Sequence, residues 1–463
     1  MATGAVGILA RWPPRQFTRL AQAFFTAERC ESRHFLLAFW FSLRLLMVCF
    51  WLSSGRGASG DVNYYFDHLS VMNQAGAAQT MQEYPTPVLW VLSLPMILGL
   101  GNTVGYAVAF ACLMLTLDAL FTLSLWRFGG ARRGQAIIVW SLFLTLTGPT
   151  AYLRFDLVTS VLAGWALIAA WRKRPVIAGT IISLAAAVKL WPALLWPALC
   201  GGSRPRAWRV TIAMAVTGGA LALGSIAWAG WDRLLSPLTY QSDRGLQVES
   251  VFASVPMLLR ALHIGDYAVT VSRYQAFEIW GTGVSYWLAA VSIAAIAGYV
   301  VIAAVYVAWL VRGHGRMIEG CVLTLLVITI LIVTNKTFSP QYIIWIGGPL
   351  AVTVLVAGQK DANDALWADP AVEKRQAARV TWLILAAAFA TVLVFPLGYS
   401  PLVRDVTGWT HVMRLPVSVV LVLRNAMMVW LLAELSVWTA SFLKPGVWAR
   451  RRRAQIPAGD TGR

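Results

Sequence analysis

Residues 178–199 read AGTIISLAAAVKLWPALLWPAL, with Lys189 in the middle of an otherwise apolar run. A lysine at bilayer depth costs at least ~2.5 kcal/mol on insertion scales, so its presence needs a structural reason. The flanks supply one. Arg172, Lys173 and Arg174 precede the run, and Arg204, Arg206 and Arg209 follow it. Short loops rich in arginine and lysine stay on the cytoplasmic side of a membrane. The number of crossings between the two clusters must therefore be even, yet two full crossings of roughly 20 residues each do not fit. Two short helices meeting near Lys189 satisfy both demands. A helix of about 14 residues rises only ~21 Å against a hydrocarbon core of ~30 Å. The turn then stops inside the membrane, where open backbone groups cannot face lipid and must line a water-filled cavity. Lys189 is expected at the floor of that cavity. The alternative is a lysine that snorkels to the interface; its mid-run position and the Trp191-Pro192 pair after it favour the cavity.

The rest of the chain is built of similar material. Its 463 residues are 58% hydrophobic and 13% charged, with mean hydropathy +0.65, whereas a soluble domain is roughly a quarter charged. The expected fold is an all-α polytopic membrane protein. A net charge of +18 does not point to nucleic acid. The basic residues stand in bunches between apolar runs, as at Arg127–Arg133, Arg312–Arg316 and Lys444–Arg453, and no nucleic-acid-binding motif accompanies them. Cys30, Cys49, Cys112, Cys200 and Cys321 are scattered without a CxxC pair, so neither a disulfide nor a metal cluster is expected. The basic amino end leads into a full-length apolar run without a small-residue cleavage site, which predicts a retained span rather than a signal peptide.

Spans are expected near residues 34–54, 104–126, 136–150, 157–171, 175–188, 190–200, 208–230, 286–311, 318–334, 343–357, 380–399 and 414–442, about twelve in all and several of them short or broken. Residues 86–100 are expected to form a half-inserted or surface helix, because a crossing there would put Arg127, Arg132 and Arg133 outside. The chain then divides into a basic cytoplasmic segment at 1–33, a membrane unit at 34–442 and a basic cytoplasmic tail at 443–463. Loops 55–103, 151–156, 231–285, 335–342 and 400–413 face the extracytoplasmic side of the plasma membrane.

Those outer loops hold the polar clusters GRGASGDVNYYFDHL (55–69), YLRFDL (152–157), TYQSDRGLQVES (239–250) and TNKTFSPQY (334–342). Acids and cations gathered at membrane depth suit an enzyme whose substrate has a lipid tail and a phosphate. Glycosyl transfer from a lipid phosphate needs a base for the acceptor hydroxyl, cations for the leaving phosphate and a fixed line of attack. Asp61, after the flexible GASG segment, is the candidate base, and Asp67 is its local competitor. Lys189, Arg154, Arg244 and Lys336 are candidates for the phosphate. Asp156 stands beside Arg154, where simple ion pairing is the alternative. Glu249 either pairs with Arg244 or holds sugar hydroxyls. Gln247, Gln341 and Tyr342 suit sugar recognition, since amides and phenols bond hydroxyls without adding charge; Tyr84 and Ser339 complete the set of substrate-binding candidates. Arg44, Asp118, Arg424 and Glu434 fall within spans and read as inter-helix glue or interfacial snorkels.

The order GD…Y, EYPTP (83–87), RFDL, AWRKRPVIAG…AVKLWP, RGLQVES and NKTFSPQY resembles the membrane glycosyltransferases of the GT-C type, and within them glycosyltransferase family 87. The resemblance runs over roughly residues 35–355. It implies an inverting, metal-independent enzyme without a cofactor, a GT-C-type helix bundle and an extracytoplasmic cavity. The implied donor is a polyprenyl-phosphate sugar, with mannose first and decaprenyl-phosphate arabinose as the alternative, and the implied acceptor is a cell-envelope glycolipid or glycan. It also implies an aspartate base in the first outer loop, which falls on Asp61. The histidine that members place near the donor phosphate has no counterpart, since NKTFSPQY lacks one and His68, His263 and His411 do not align with it. A lipid or solute transporter with a polar vestibule, or a non-catalytic scaffold, is the alternative from another class.

Overall fold

A computed structural model describes residues 26–53, 56–99, 101–201, 203–242, 244–272, 274–312, 315–359, 369–404 and 409–443. The basic amino-terminal stretch before residue 26, most of the 360–379 connector's acidic half and the tail beyond residue 443 lie outside it. The helices in chain order are α1 (Arg33–Ser53), α2 (Gly60–Ser70), α3 (Val88–Leu98), α4 (Thr103–Phe128), α5 (Arg133–Thr147), α6 (Asp156–Trp171), α7 (Pro175–Val188), α8 (Arg204–Ala229), α9 (Trp231–Ser242), α10 (Ser254–Ala261), α11 (Val284–Val311), α12 (Met317–Val333), α13 (Gly347–Val356), α14 (Pro370–Val392) and α15 (Trp409–Leu443). Between α10 and α11 a two-stranded antiparallel hairpin pairs β1 (Ala268–Val271) with β2 (Phe277–Trp280).

Among the described residues six helices are long and apolar enough to cross a membrane. The protein is a multi-pass α-helical membrane protein. Eleven of the twelve expected spans fall on a helix, the exception being 190–200, and the lengths divide them into two kinds. The long helices α1, α8 and α11 are only 17% buried over their most apolar windows, so their side chains face outward to the lipid. The short helices lie inside. All ten residues of α13 are buried, as are nearly all of α6 and α12. Segment 190–200 is a 3₁₀ turn (Trp191–Leu195) followed by the four-residue helix Trp196–Leu199. Pro192 and Pro197 remove amide donors there and prevent a regular helix. The 11-residue α3 is too short to cross, in keeping with a half-inserted or surface element.

Local sequence sets the ends. Asn102 caps α4 by accepting from the Gly105 amide at 2.8 Å, and Asp369 caps α14 by accepting from the Ala371 amide at 2.8 Å, with Pro370 at the first helical position. The long loop 231–285 is not irregular: it contains α9, α10 and the hairpin. Its short strands were hidden because a single hairpin buries too little surface to impose a clear alternation.

The inner helices are held by two devices. The first is close backbone approach. A Cβ on Gly348 would stand 2.0 Å from the Ser160 carbonyl, and one on Gly164 would stand 2.6 Å from the Phe121 ring. The second is buried charge pairing. Asp118 accepts from Arg44 at 2.6 Å, Trp140 at 2.6 Å, Tyr152 at 2.7 Å and Trp40 at 3.1 Å, so α1, α4, α5 and the turn before α6 share one carboxylate. That is the inter-helix role expected of Arg44 and Asp118. The packing predicts that Gly348→Ala lowers stability by about 1–3 kcal/mol through overpacking, read from thermal denaturation in detergent. Gly219→Ala, inside α8 where nothing lies within 4 Å, should not lower the melting temperature, since alanine favours the helix.

Candidate functional site

The break after α7 organises the site. Lys189 ends the helix with an extended backbone (φ −155°, ψ 133°) while its amide still donates to Ala185. Its ammonium donates to Asp156 Oδ1 at 2.6 Å. The rings of Phe155, Tyr342 and Trp345 lie 5.3, 5.1 and 5.1 Å from Nζ, within reach for cation–π attraction. Trp345 stacks on Tyr342 at 4.2 Å and on Trp191 at 5.0 Å, and its indole N–H donates to the same Asp156 oxygen. The ammonium therefore sits in an aromatic box closed by one carboxylate. It keeps 16% exposure, whereas Asp156 keeps 2%.

Arg154 makes a second pair beside the first. Its Nε lies 2.6 Å from Asp61 Oδ2. The Nε–H is not aligned on the carboxylate, so the contact is an electrostatic one rather than a directed hydrogen bond. Nη1 donates to the carbonyls of Ala58 at 2.6 Å and Leu153 at 2.9 Å, which fixes the guanidinium against the entry to α2. Arg154 is buried, but the Asp61 side chain is 37% exposed. The cation thus stands behind an open carboxylate. Adjacency in sequence suggested pairing of Asp156 with Arg154; the turn before α6 instead sends successive side chains to Asp61 and Lys189. Asp61 and Asp67 also separate, because six residues along a helix bring a side chain to another face. Asp67 is exposed, and no side-chain contact of it is seen among the described residues.

Phe155 lies between the two pairs and is covered by Tyr65 at 5.7 Å and, edge-on, by Tyr84 at 4.9 Å. Tyr84 and Tyr342 therefore join the site as walls. The other candidates behave differently. Glu249 meets Arg424, not Arg244: Nη1 donates to Oε2 at 2.8 Å and Nη2 to the Glu249 carbonyl at 2.6 Å, both side chains being fully buried. This is the glue role expected of Arg424, whose guanidinium also lies 4.0 Å from the Phe338 ring. Gln247 spends its side-chain carbonyl on the Phe338 amide at 3.0 Å and the Glu249 amide at 3.3 Å, and its own amide donates to the Lys336 carbonyl at 3.1 Å. RGLQVES and NKTFSPQY are thus knotted together and pinned to α15. Ser339 and Gln341 are half-buried on the same knot. Arg244 stands at its rim, 5.6 Å from the Tyr240 ring and 5.7 Å from the Tyr274 ring.

An apolar cleft of about 480 Å³ opens beside Lys189. Ser183, Ala187 and Leu190 line it from the α7 side, Met214 and Gly218 from α8, and Thr86 from the loop before α3. Trp345, Phe155, Tyr64 and Glu83 were not among the candidate side chains; Tyr64 is three residues from Asp61, a spacing that puts both on one helix face.

The two coupled pairs make a stability prediction. Asp156→Asn leaves the Lys189 ammonium without a counter-charge and should cost about 3–5 kcal/mol. Combining it with Lys189→Met should recover part of that loss, because no uncompensated charge remains. Denaturation of the two single variants and the double variant in detergent measures the coupling.

No curated protein and no solved structure matches the chain. A family model does, and its match takes in α6, α7 and α12, with Arg154, Asp156 and Lys189, and ends before Tyr342 and Trp345. It describes glycosyltransferase family 87 and matches residues 83–340, more than half of the length. The chain belongs to glycosyltransferase family 87 and is a membrane glycosyltransferase.

Proposed function

We propose that the protein transfers a hexose, most simply mannose, from a polyprenyl-phosphate sugar to a hydroxyl of a cell-envelope glycolipid or glycan, on the extracytoplasmic face of the plasma membrane. The catalytic unit is residues 34–442, and both chain ends lie in the cytoplasm. One observation carries this reading: an open carboxylate, Asp61, is backed by a buried cation, Arg154, and the helix that ends at the Lys189 ammonium lines an apolar cleft with Ser183, Ala186 and Ala187. A polyprenyl tail is apolar and suits the cleft. Its phosphate is then assigned to the two cations, Lys189 and Arg154.

The chemistry follows from charge. The acceptor hydroxyl gives its proton to Asp61 as its oxygen attacks the anomeric carbon. The bond from that carbon to the phosphate oxygen breaks, its electron pair stays on the phosphate, and the configuration inverts. The leaving group changes from a phosphodiester with one negative charge to a phosphomonoester with about two. At the same moment Asp61 becomes neutral. Arg154 loses its counter-ion when the phosphate gains charge, so the guanidinium and the Lys189 ammonium stabilise the developing anion. The misaligned contact between Arg154 and Asp61 suits this change of partner, because no directed hydrogen bond has to be broken. Arg244, held beside Tyr240 and Tyr274, is a further candidate cation for the phosphate.

Purified protein offered a panel of radiolabelled lipid-phosphate sugars with membrane lipid extract should form product from polyprenyl-phosphate mannose. Product from the arabinose donor alone would reassign the sugar, and movement of substrate without a new glycosidic bond would reassign the protein as a transporter. Asp61→Asn should lower kcat by about 10²–10⁴-fold with donor binding retained. Unchanged transfer in that variant would remove Asp61 as the base.

A further inference from the structure

A second acid stands near Asp61 and has no part in the reaction just described. Tyr64 follows Asp61 by three residues on α2, so both side chains lie on one face. The Tyr64 hydroxyl donates to Glu83 Oε1 at 2.6 Å. Both residues are half-buried, so the pair stands at the edge of the core, where Tyr64 packs, and keeps part of its surface open. Burial, then the neighbouring Glu83 carboxylate, hold the Tyr64 phenol above its usual range, with Tyr240 and Asp61 as its next electrostatic neighbours. The pair is held rigidly from behind. Arg233 donates to the carbonyls of Tyr84 at 2.7 Å, Met81 at 3.0 Å and Thr80 at 3.1 Å. It thereby fixes a chain that passes through a left-handed conformation at Met81 (φ 49°), a strained position for a residue with a side chain. Arg233 spends its donors on backbone and on the Ser236 hydroxyl; it is a charge neighbour of Glu83, whose one side-chain hydrogen bond seen among the described residues comes from the Tyr64 phenol. An ionised carboxylate has several acceptor positions, so Glu83 keeps capacity for hydroxyl donors.

We infer that Glu83 and Tyr64 form the acceptor-binding clamp of this transferase, and that the acceptor presents a polyhydroxylated headgroup whose hydroxyls adjoining the reacting one are bonded there. The inference rests on Asp61 as the base and deepens that assignment. The donor phosphate is assigned to Arg154 and Lys189, and the acceptor hydroxyls to Tyr64, on the same face of α2 as Asp61, and to its partner Glu83. A carboxylate and a phenol select hydroxyl donors and repel phosphate, so the clamp addresses the sugar or polyol part of the acceptor. A site built to bond a hydroxyl discriminates against analogues that lack it.

The test uses the full chain in lipid nanodiscs, polyprenyl-phosphate mannose as donor and membrane lipid extract as a titrated acceptor source. Glu83→Gln should raise the apparent KM for extract by about 10–100-fold, the range for hydrogen bonds to a charged group, with a smaller change in kcat. Binding of polyprenyl phosphate alone, followed by tryptophan fluorescence, should be unchanged. Tyr64→Phe removes one hydroxyl, leaves the carboxylate, and should raise the same KM by a smaller factor; it also guards against misfolding of the first variant. The clamp is overturned if neither variant changes the KM for extract, or if polyprenyl phosphate binding weakens by the same factor. Wild-type protein that binds polyprenyl phosphate but transfers no sugar would instead overturn the underlying reaction, and the clamp with it.

Discussion

The ion pair between Lys189 and Asp156 is the constraint on which the rest of the structure depends. A helix that stops inside a membrane protein exposes carbonyls and, here, an ammonium. Both must be satisfied internally. Asp156 meets the charge at 2.6 Å from the first turn of the neighbouring helix, and the indole of Trp345 holds the same oxygen from a third segment. One carboxylate therefore ties α6, α7 and the turn before α13 into a unit. The short helices are the result. They need not reach across the bilayer, because the longer α1, α8 and α11 stand outside them.

Buried charge is used in two ways. Arg44 with Asp118 and Arg424 with Glu249 are closed pairs: both members are buried, and Asp118, Arg44 and Arg424 have further hydrogen bonds. Such pairs fix geometry, and removing one member is costly because the other remains uncompensated. The first orients the turn that precedes Arg154 through Tyr152. The second pins the RGLQVES loop to α15. Arg154 with Asp61 differs. Its cation is buried but its acid is exposed, so the anion can exchange its partner for a substrate without opening the core. The proposed role of Asp61 as base needs this asymmetry.

The knot between RGLQVES and NKTFSPQY changes what those motifs signify. Gln247, Glu249 and the backbone at Lys336 are joined to one another. Their contribution to the site is indirect, through the placement of Tyr342 and Trp345 at the end of the same segment. Motif resemblance marks residues that a family keeps together; it does not distinguish side chains that touch a substrate from those that hold the loop bearing them.

Span positions, the interrupted helix at Lys189 and the gathering of polar loops were determined by sequence alone, because hydropathy, proline and charge asymmetry act locally along the chain. The glue role of Arg44, Asp118 and Arg424 was also legible, since a charge in an apolar span has few other uses. Which charges meet was decided only in three dimensions. Arg154 and Asp156 are two residues apart, and Glu249 is five from Arg244, yet each found a partner far away in sequence. Ion pairing depends on where helices cross and on which side chains the turn between them turns inward. Neither quantity has a period that a linear sequence displays. The same holds for Trp345 and Glu83, whose roles came from the neighbours that packing gave them.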